Sequence, residues 1–388
     1  MMPVAERRWR EIAFPAMTLH PGDPAPWFSL PSTDNPNYAF HSVAGRYVLL
    51  AFIGSAARPE AQAALAAVAA RRALFDDENA CFFGISVDPA DREQGRVQPS
   101  LPGIRFLFDL NGKVGRDYGV IRKDPDRIEG SEVYAPAFVL LDPMLRVIET
   151  RPLSQVEAML NHIAALPPAV QHGGIDIPPP VLVLPRIFDP GLCRALIAHY
   201  EEQGGTPSGF MREVNGKTVG VFDPALKRRA DCAIADEGLR IAARNAILRR
   251  VVPELLKVHH FHATRMERYI VACYDSAERG HFGAHRDNTT AGTAHRRFAV
   301  TINLNAEDFE GGELRFPEYG PRSWRAPTGG AVVFSCSLLH QALPVTAGRR
   351  YAFLPFLYDE AAARLREQNN AKLGDGVGAY QSGQAKAG

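Results

Sequence analysis

Apolar residues follow two different rhythms along this chain. From Tyr47 to Ile53 every position is apolar, a run fit for a strand buried on both faces, and Cys81 to Val87 and Phe138 to Leu141 predict two more strands of that kind. Between the first two, Pro59 to Phe75 is alanine-rich with helical periodicity. Strands separated by helical stretches predict an α/β sandwich.

Residues 166–180 are dense in proline and glycine, which continue neither a helix nor a central strand, so they read as a linker. Beyond it a helix starts at Asp189 as N-cap with Pro190 first in the helix, and must stop at Gly204-Gly205. A second helix is predicted from Asp236 to Val251. The rhythm then shortens to Tyr269–Tyr274, Phe298–Leu304, Glu313–Phe316, Ala331–Phe334 and Arg350–Tyr358, which predict a β-barrel or jelly roll with supporting helices. Residues 374–388 are small and polar and are expected to be disordered.

A length of 388 residues fits two domains, and 46% hydrophobic residues suffice for two cores. A formal net charge of +1 argues against nucleic-acid or membrane-surface binding by bulk electrostatics. No apolar run is long enough for a membrane span, and the start, with Glu6, Arg7, Arg8, Arg10 and Glu11, lacks the apolar centre of a secretion signal; a cytoplasmic location is expected. Five scattered cysteines without a CxxC pair encode neither a disulfide framework nor a zinc knuckle.

Pro21-Gly22-Asp23-Pro24-Ala25-Pro26-Trp27-Phe28, Ala44-Gly45-Arg46, Gly84-Ile85-Ser86-Val87-Asp88 and Phe138-Val139-Leu140-Leu141-Asp142 resemble, in order and spacing, the peroxiredoxin branch of the thioredoxin-like proteins over residues 19–165. The resemblance implies a thioredoxin-like fold and makes Pro136 a candidate cis-proline. Peroxide reduction needs a low-pKa cysteine in the strand-to-helix turn, and here that turn reads Gly54-Ser55-Ala56-Ala57-Arg58-Pro59-Glu60. The family's supporting arginine is replaced by Ala135, and Cys81 reads as a buried structural thiol. The domain is expected to be redox-inactive, a scaffold or a module for docking partners. No base for Ser55 is visible near it in sequence.

His285-Arg286-Asp287 carries the candidate chemistry. Side chains two apart on a strand share a face, so His285 and Asp287 can meet one metal while Arg286 points away. With the distant His340, two imidazoles and one carboxylate form the donor set of a facial iron(II) site with open positions. The triplet alone is common; its setting is not. Ile270-Val271-Ala272-Cys273-Tyr274, Thr301-Ile302-Asn303-Leu304-Asn305, Glu310-Gly311-Gly312-Glu313-Leu314-Arg315-Phe316, Gly329-Gly330-Ala331-Val332-Val333-Phe334 and the stretch from His340 to Tyr351 resemble the prolyl 4-hydroxylase-like branch of the iron(II)/2-oxoglutarate dioxygenases over residues 181–360.

That resemblance implies a double-stranded β-helix, with His285, Asp287 and His340 as metal ligands and catalytic centre. It implies Fe(II), 2-oxoglutarate and O2, with ascorbate as a helper, and a protein or peptide substrate hydroxylated at a C–H bond. Arg350 falls where the family holds the far carboxylate of 2-oxoglutarate, with Arg349 as its competitor. Tyr274 and Asn303 complete the expected co-substrate contacts, Asn303 standing where many relatives carry tyrosine. A second reading keeps the iron but makes the protein a non-catalytic sensor or interaction module. His259, His260, His262, His281 and His295 read as surface, packing or mouth residues. The basic residues Lys227, Arg228, Arg229, Arg249 and Arg250 read as solvated surface, and the glycine pairs as turns.

Overall fold

The computed structural model describes residues 19–123 and 132–381; the reading of the chain's start lies outside them, as do residues 382–388 of the expected tail. Contacts divide the chain into two compact units, Met1–Asp176 and Ile177–Gly388.

In the first unit Tyr47–Gly54 is buried at every position because it is central: Ala80–Ser86 pairs with it in parallel on one side and Ala137–Leu141 antiparallel on the other. Ile104–Phe108 and Val147–Pro152 close the edges of this five-stranded sheet. The helix Pro59–Ala70 buries Ala61, Ala64 and Val68 against it. That helix ends five residues earlier than the pattern predicts, giving way to a 3-10 turn at Arg72–Leu74. This is the thioredoxin-like arrangement. Pro136 is not cis; the cis bond among the described residues is Leu101–Pro102.

The turn after Tyr47–Gly54 supplies what sequence distance hid. Ser55 Oγ donates to Asp88 Oδ2 at 2.7 Å, while the buried Asp91 accepts from Ala56 N and Ser86 Oγ. A carboxylate thus does stand beside Ser55. Hydrogen bonds from Ser55 and the Ala90 amide hold Asp88 below the usual carboxylate range, so it is an acceptor tying down the turn and a poor base. Cys81 is buried, with its thiol pushed up to about 12 by burial, the opposite of what a peroxidatic cysteine needs.

The second unit packs two antiparallel sheets face to face, a double-stranded β-helix. The larger runs Leu182–Leu184, Ala331–Ser335, Phe298–Asn303, Val345–Phe353, Ile270–Asp275, Ala230–Ala233, Thr206–Pro207; the smaller runs Lys227–Arg228, His281–His285, His340–Ala342, Leu314–Arg315, Ser323–Trp324. Helices Pro190–Gln203 and Glu237–Arg250, capped by Asp189 and Asp236, cover the outside of the larger sheet. The stretch expected as one strand, Arg350–Tyr358, is broken at Leu354-Pro355, where proline has no N–H for the ladder, into Val345–Phe353 and Phe356–Tyr358. Tyr380, inside the expected disordered tail, is held by Asn370 at both its N–H and its carbonyl and lies under Arg366.

Candidate active site

Two short strands of the smaller sheet set the centre. His281–His285 and His340–Ala342 pair with His285 directly opposite His340, and Asp287, two residues on, faces the same way. One donor atom from each of the three falls within 4.8 Å of the others. His285 Nδ1 lies 2.8 Å from the Gly283 carbonyl and His340 Nδ1 3.0 Å from the Leu338 carbonyl. Each Nδ1 therefore carries the proton, and the bare Nε2 atoms point at the Asp287 oxygens from 3.5 and 3.4 Å. Lone pairs facing lone pairs repel unless a cation sits among them. The donor set fits a divalent metal.

Burial, with His285 beside it, pushes the His340 imidazole down to about 4, keeping it neutral. Desolvation opposes the ionised form of Asp287, and positive charge beside it, from the two histidines when protonated and from Arg296, holds it below the usual carboxylate range. Phe282 stacks on His285 and Phe334 meets His340 edge-on, so apolar rings flank both imidazoles.

Arg286 points away from the centre, as the alternation requires, into a buried partnership the sequence does not reveal. It pairs with Glu318 at 2.8 Å, and Glu318 also accepts the Leu339 N–H at 3.0 Å. One carboxylate thus ties the residue between His285 and Asp287 to the residue before His340. Glu318→Gln removes the negative charge that faces the buried Arg286 and leaves one acceptor oxygen where two served. It should weaken metal binding about 10–100-fold and cost about 3–5 kcal/mol of stability. Metal titration and urea unfolding read the two effects; unchanged metal affinity would reduce Glu318 to a packing residue.

The cleft over the centre spans about 490 Å³ including its mouth, and Tyr274, Ala299, Thr301 and Arg350 line it together with the three centre residues. Arg350 is 2% exposed and no carboxylate pairs with it among the described residues; its Nε donates to Asn303 Oδ1 at 3.2 Å. Asn303 is itself fixed by donating Nδ2 to the Ala326 carbonyl, so it holds the arginine instead of lining the cleft. Tyr274 sits opposite Arg350 in the strand pair, its ring 5.1 Å beneath the guanidinium. Gly312 has φ +70°, and a Cβ there would stand 3.1 Å from Arg350 Cδ, so glycine is required beside the arginine. Arg349 faces the other way, exposed, and pairs with Asp275 at 2.8 Å.

The basic run departs from expectation. Arg228, Arg249 and Arg250 are exposed, but Lys227 and Arg229 are buried. Lys227 lies in the strand Lys227–Arg228, and Arg229, between that strand and Ala230–Ala233, lines the cleft, reaches the Tyr274 hydroxyl at 3.3 Å and pairs with Asp231 at 2.7 Å. Burial, with Arg229 adding to it, pushes the Lys227 amine down to about 6. Its folded pKa lies below the unfolded value of 10.5, so between these limits the unfolded chain binds the extra proton. Stability therefore rises with pH across this window, by up to ~1.4 kcal/mol per pH unit. In Lys227→Met that contribution should vanish; equal slopes in denaturant titrations of the two proteins between pH 7 and about 9 would contradict the assignment.

Among the described residues the triad is the one group of three or more His, Cys, Asp or Glu side chains arranged for a metal, and His259, His260 and His262 form no second one. His281 and His295 do not line the cleft; His295 is buried 3.1 Å from Glu267.

A jelly roll with a two-histidine, one-carboxylate centre at its mouth is the fold and site of a non-haem metal oxygenase. Residues 269–358 match the family model of the 2OG-Fe(II) oxygenase superfamily and residues 21–150 that of the AhpC/TSA family. The chain carries a 2OG-Fe(II) oxygenase domain behind an AhpC/TSA-family domain, and the first family implies Fe(II), 2-oxoglutarate and O2. It is similar to a PKHD-type hydroxylase of Polaromonas sp. (strain JS666 / ATCC BAA-500), 36% identical over 112 residues, 27% of this chain and 46% of that protein. One from Paracoccus denitrificans (strain Pd 1222) is 40% identical over 79 residues, 18% of this chain and 35% of that protein. The chain spans about half or less of the length of these curated relatives. Among solved structures, a prolyl hydroxylase from Trichoplax adhaerens, in complex with a hypoxia inducible factor peptide fragment, aligns at 16% identity and TM-score 0.38, over 54% of this chain and 95% of that one. Peroxidoxin BcpB from Mycobacterium tuberculosis aligns at 19% identity and TM-score 0.32, over 38% and 99%. No described helix is long and apolar enough to cross a membrane.

Proposed function

We propose that the protein is an iron(II)- and 2-oxoglutarate-dependent hydroxylase, converting 2-oxoglutarate and O2 to succinate and CO2 while placing one oxygen on a substrate C–H bond. The observation that carries this reading is Arg350: a buried cation with no carboxylate partner among the described residues, in the same cleft as the triad. Burying an unpaired guanidinium costs stability, and a dicarboxylate reaching from the metal would complete it.

His285, Asp287 and His340 would hold the metal on one side, leaving its cleft side open. Bound there, iron supplies the redox chemistry. Arg350, steadied by Asn303 and Gly312, would fix the distal carboxylate, and the rings of Phe282 and Phe334 keep water from the ligands. No side chain is required as a general base. The substrate would be a protein or peptide, with ascorbate keeping the iron reduced, the first unit docking partners, and the reaction taking place in the cytoplasm.

The test is succinate formation by iron-loaded protein with 2-oxoglutarate under air, with and without proline-containing peptides. Iron-dependent succinate, raised by a peptide that gains one oxygen in mass, is the expected result. Tight iron binding with no succinate under any peptide would replace the hydroxylase by a non-catalytic sensor.

A further inference from the structure

The formal charges around the cleft do not close. Arg229 and Arg268 both line it, while Asp231, the carboxylate between them, does not. Asp231 is also saturated: Oδ1 accepts from Arg229 Nε at 2.7 Å, and Oδ2 accepts from Arg229 Nη2 at 2.8 Å, Arg268 Nη2 at 3.0 Å and Ser208 Oγ at 2.6 Å. Two guanidiniums thus share one carboxylate. The next carboxylate, Glu267, is engaged by Arg296 and Arg366, both at 2.8 Å, and by His295. Asp287 belongs to the metal centre. One positive charge beside the cleft has no counter-ion among the described residues.

Two further features mark the spot. Arg268 has φ +67°, a left-handed backbone that a side chain with a Cβ takes up at a cost, and its guanidinium lies over the Phe356 ring at 5.6 Å. Lys227 is buried two residues before Arg229, with its amine kept neutral by burial and by that neighbour, so it adds no third charge and the surplus is that of the two guanidiniums. Under the proposed function, 2-oxoglutarate accounts for Arg350 and the metal. It leaves the second surplus untouched.

We propose that Arg229 and Arg268 receive a carboxylate of the substrate, so that the molecule hydroxylated here is an anion at the cleft wall; this rests on the hydroxylase reading above. Planar guanidinium forks suit a carboxylate, and being held by Asp231 they are already oriented. The carboxylate would be an acidic side chain of a peptide or the free carboxylate of an amino acid.

Calorimetry on full-length protein loaded with Mn(II) and N-oxalylglycine, a chelating analogue of 2-oxoglutarate that is not decarboxylated, separates the outcomes. One arm compares acetyl-Gly-Pro-Asp-amide with acetyl-Gly-Pro-Asn-amide; the other compares L-proline with L-prolinamide. In at least one arm the acid should bind about tenfold or more tighter than its amide. Arg268→Gln, which leaves the Arg229–Asp231 pair in place, should reduce that preference to about threefold or less while N-oxalylglycine binds as before. Preference in the first arm assigns a peptide side chain, in the second a free amino acid. No preference for the acid in either arm, a preference that survives Arg268→Gln, or loss of N-oxalylglycine binding in that variant overturns the proposal. If N-oxalylglycine fails to bind the wild-type protein, the hydroxylase reading itself falls, and this one with it.

Discussion

Asp287→Ala should abolish metal-dependent 2-oxoglutarate consumption and leave an otherwise folded protein. Asp287 is the one anion of the centre, and both Nε2 atoms aim at it from 3.5 and 3.4 Å. Without it a divalent cation meets two neutral imidazoles in a desolvated pocket, and its charge is uncompensated where the dielectric is low. The loss in metal affinity should exceed the roughly 10–100-fold that removal of an outer partner costs. His340→Ala should do nearly as much, since His340 is buried, neutral and held in one tautomer by the Leu338 carbonyl. Metal content after dialysis and succinate yield check both variants, with circular dichroism confirming the fold. Full succinate yield in either one would mean that the metal sits elsewhere.

Arg350→Met should separate co-substrate binding from stability. In the protein alone the guanidinium is buried without a carboxylate, and burial depresses its pKa, a sign that the charged form is disfavoured where it stands. An apolar side chain of similar length relieves that cost, so the variant should unfold at a temperature equal to or above that of the wild type. Its grip on 2-oxoglutarate should collapse: truncating one partner of a buried, hydrogen-bonded charge pair costs about 2–5 kcal/mol, which raises the half-saturating concentration roughly 30-fold to over 1000-fold. Arg349→Met should leave that concentration near the wild-type value, because Arg349 is exposed and paired with Asp275 on the other face. Co-substrate titrations of the three proteins check the order, and a larger effect at Arg349 would reverse the assignment.

That His285 and Asp287 would share a face was legible because the geometry is local. An i, i+2 pair on a strand shares a face, and the ten-residue step from His340 to Arg350 leads from the smaller sheet into Val345–Phe353, the next strand along the chain, in the larger one. The central strands were legible because burial on both faces leaves continuous apolar runs. The edge strand Val147–Pro152 carries Glu149 and Arg151 and reads as neither strand nor loop. What escaped depends on distant partners. A basic run ordinarily means solvent, and nothing within Lys227-Arg228-Arg229 says that every second side chain turns inward; that follows from Asp231 and from the pairing of Lys227 with Phe282. Glu318 was invisible for the same reason, standing 32 residues from Arg286 in a 3-10 turn. Pro136 misled because an X-Pro bond's isomer is set by its surroundings more than by its position.

In the proposed hydroxylase, His285, Asp287 and His340 hold one iron(II) that 2-oxoglutarate chelates, with Arg350 at its far end. Anaerobic titration of iron(II)-loaded protein with 2-oxoglutarate, followed by visible absorption, reads that chelate directly as a metal-to-ligand charge-transfer band. The expected result is a saturable band in the wild type, a large rise in the 2-oxoglutarate needed for it in Arg350→Met, and no band in Asp287→Ala. A band of undiminished strength in Asp287→Ala, or none in the iron-loaded wild type, would contradict it.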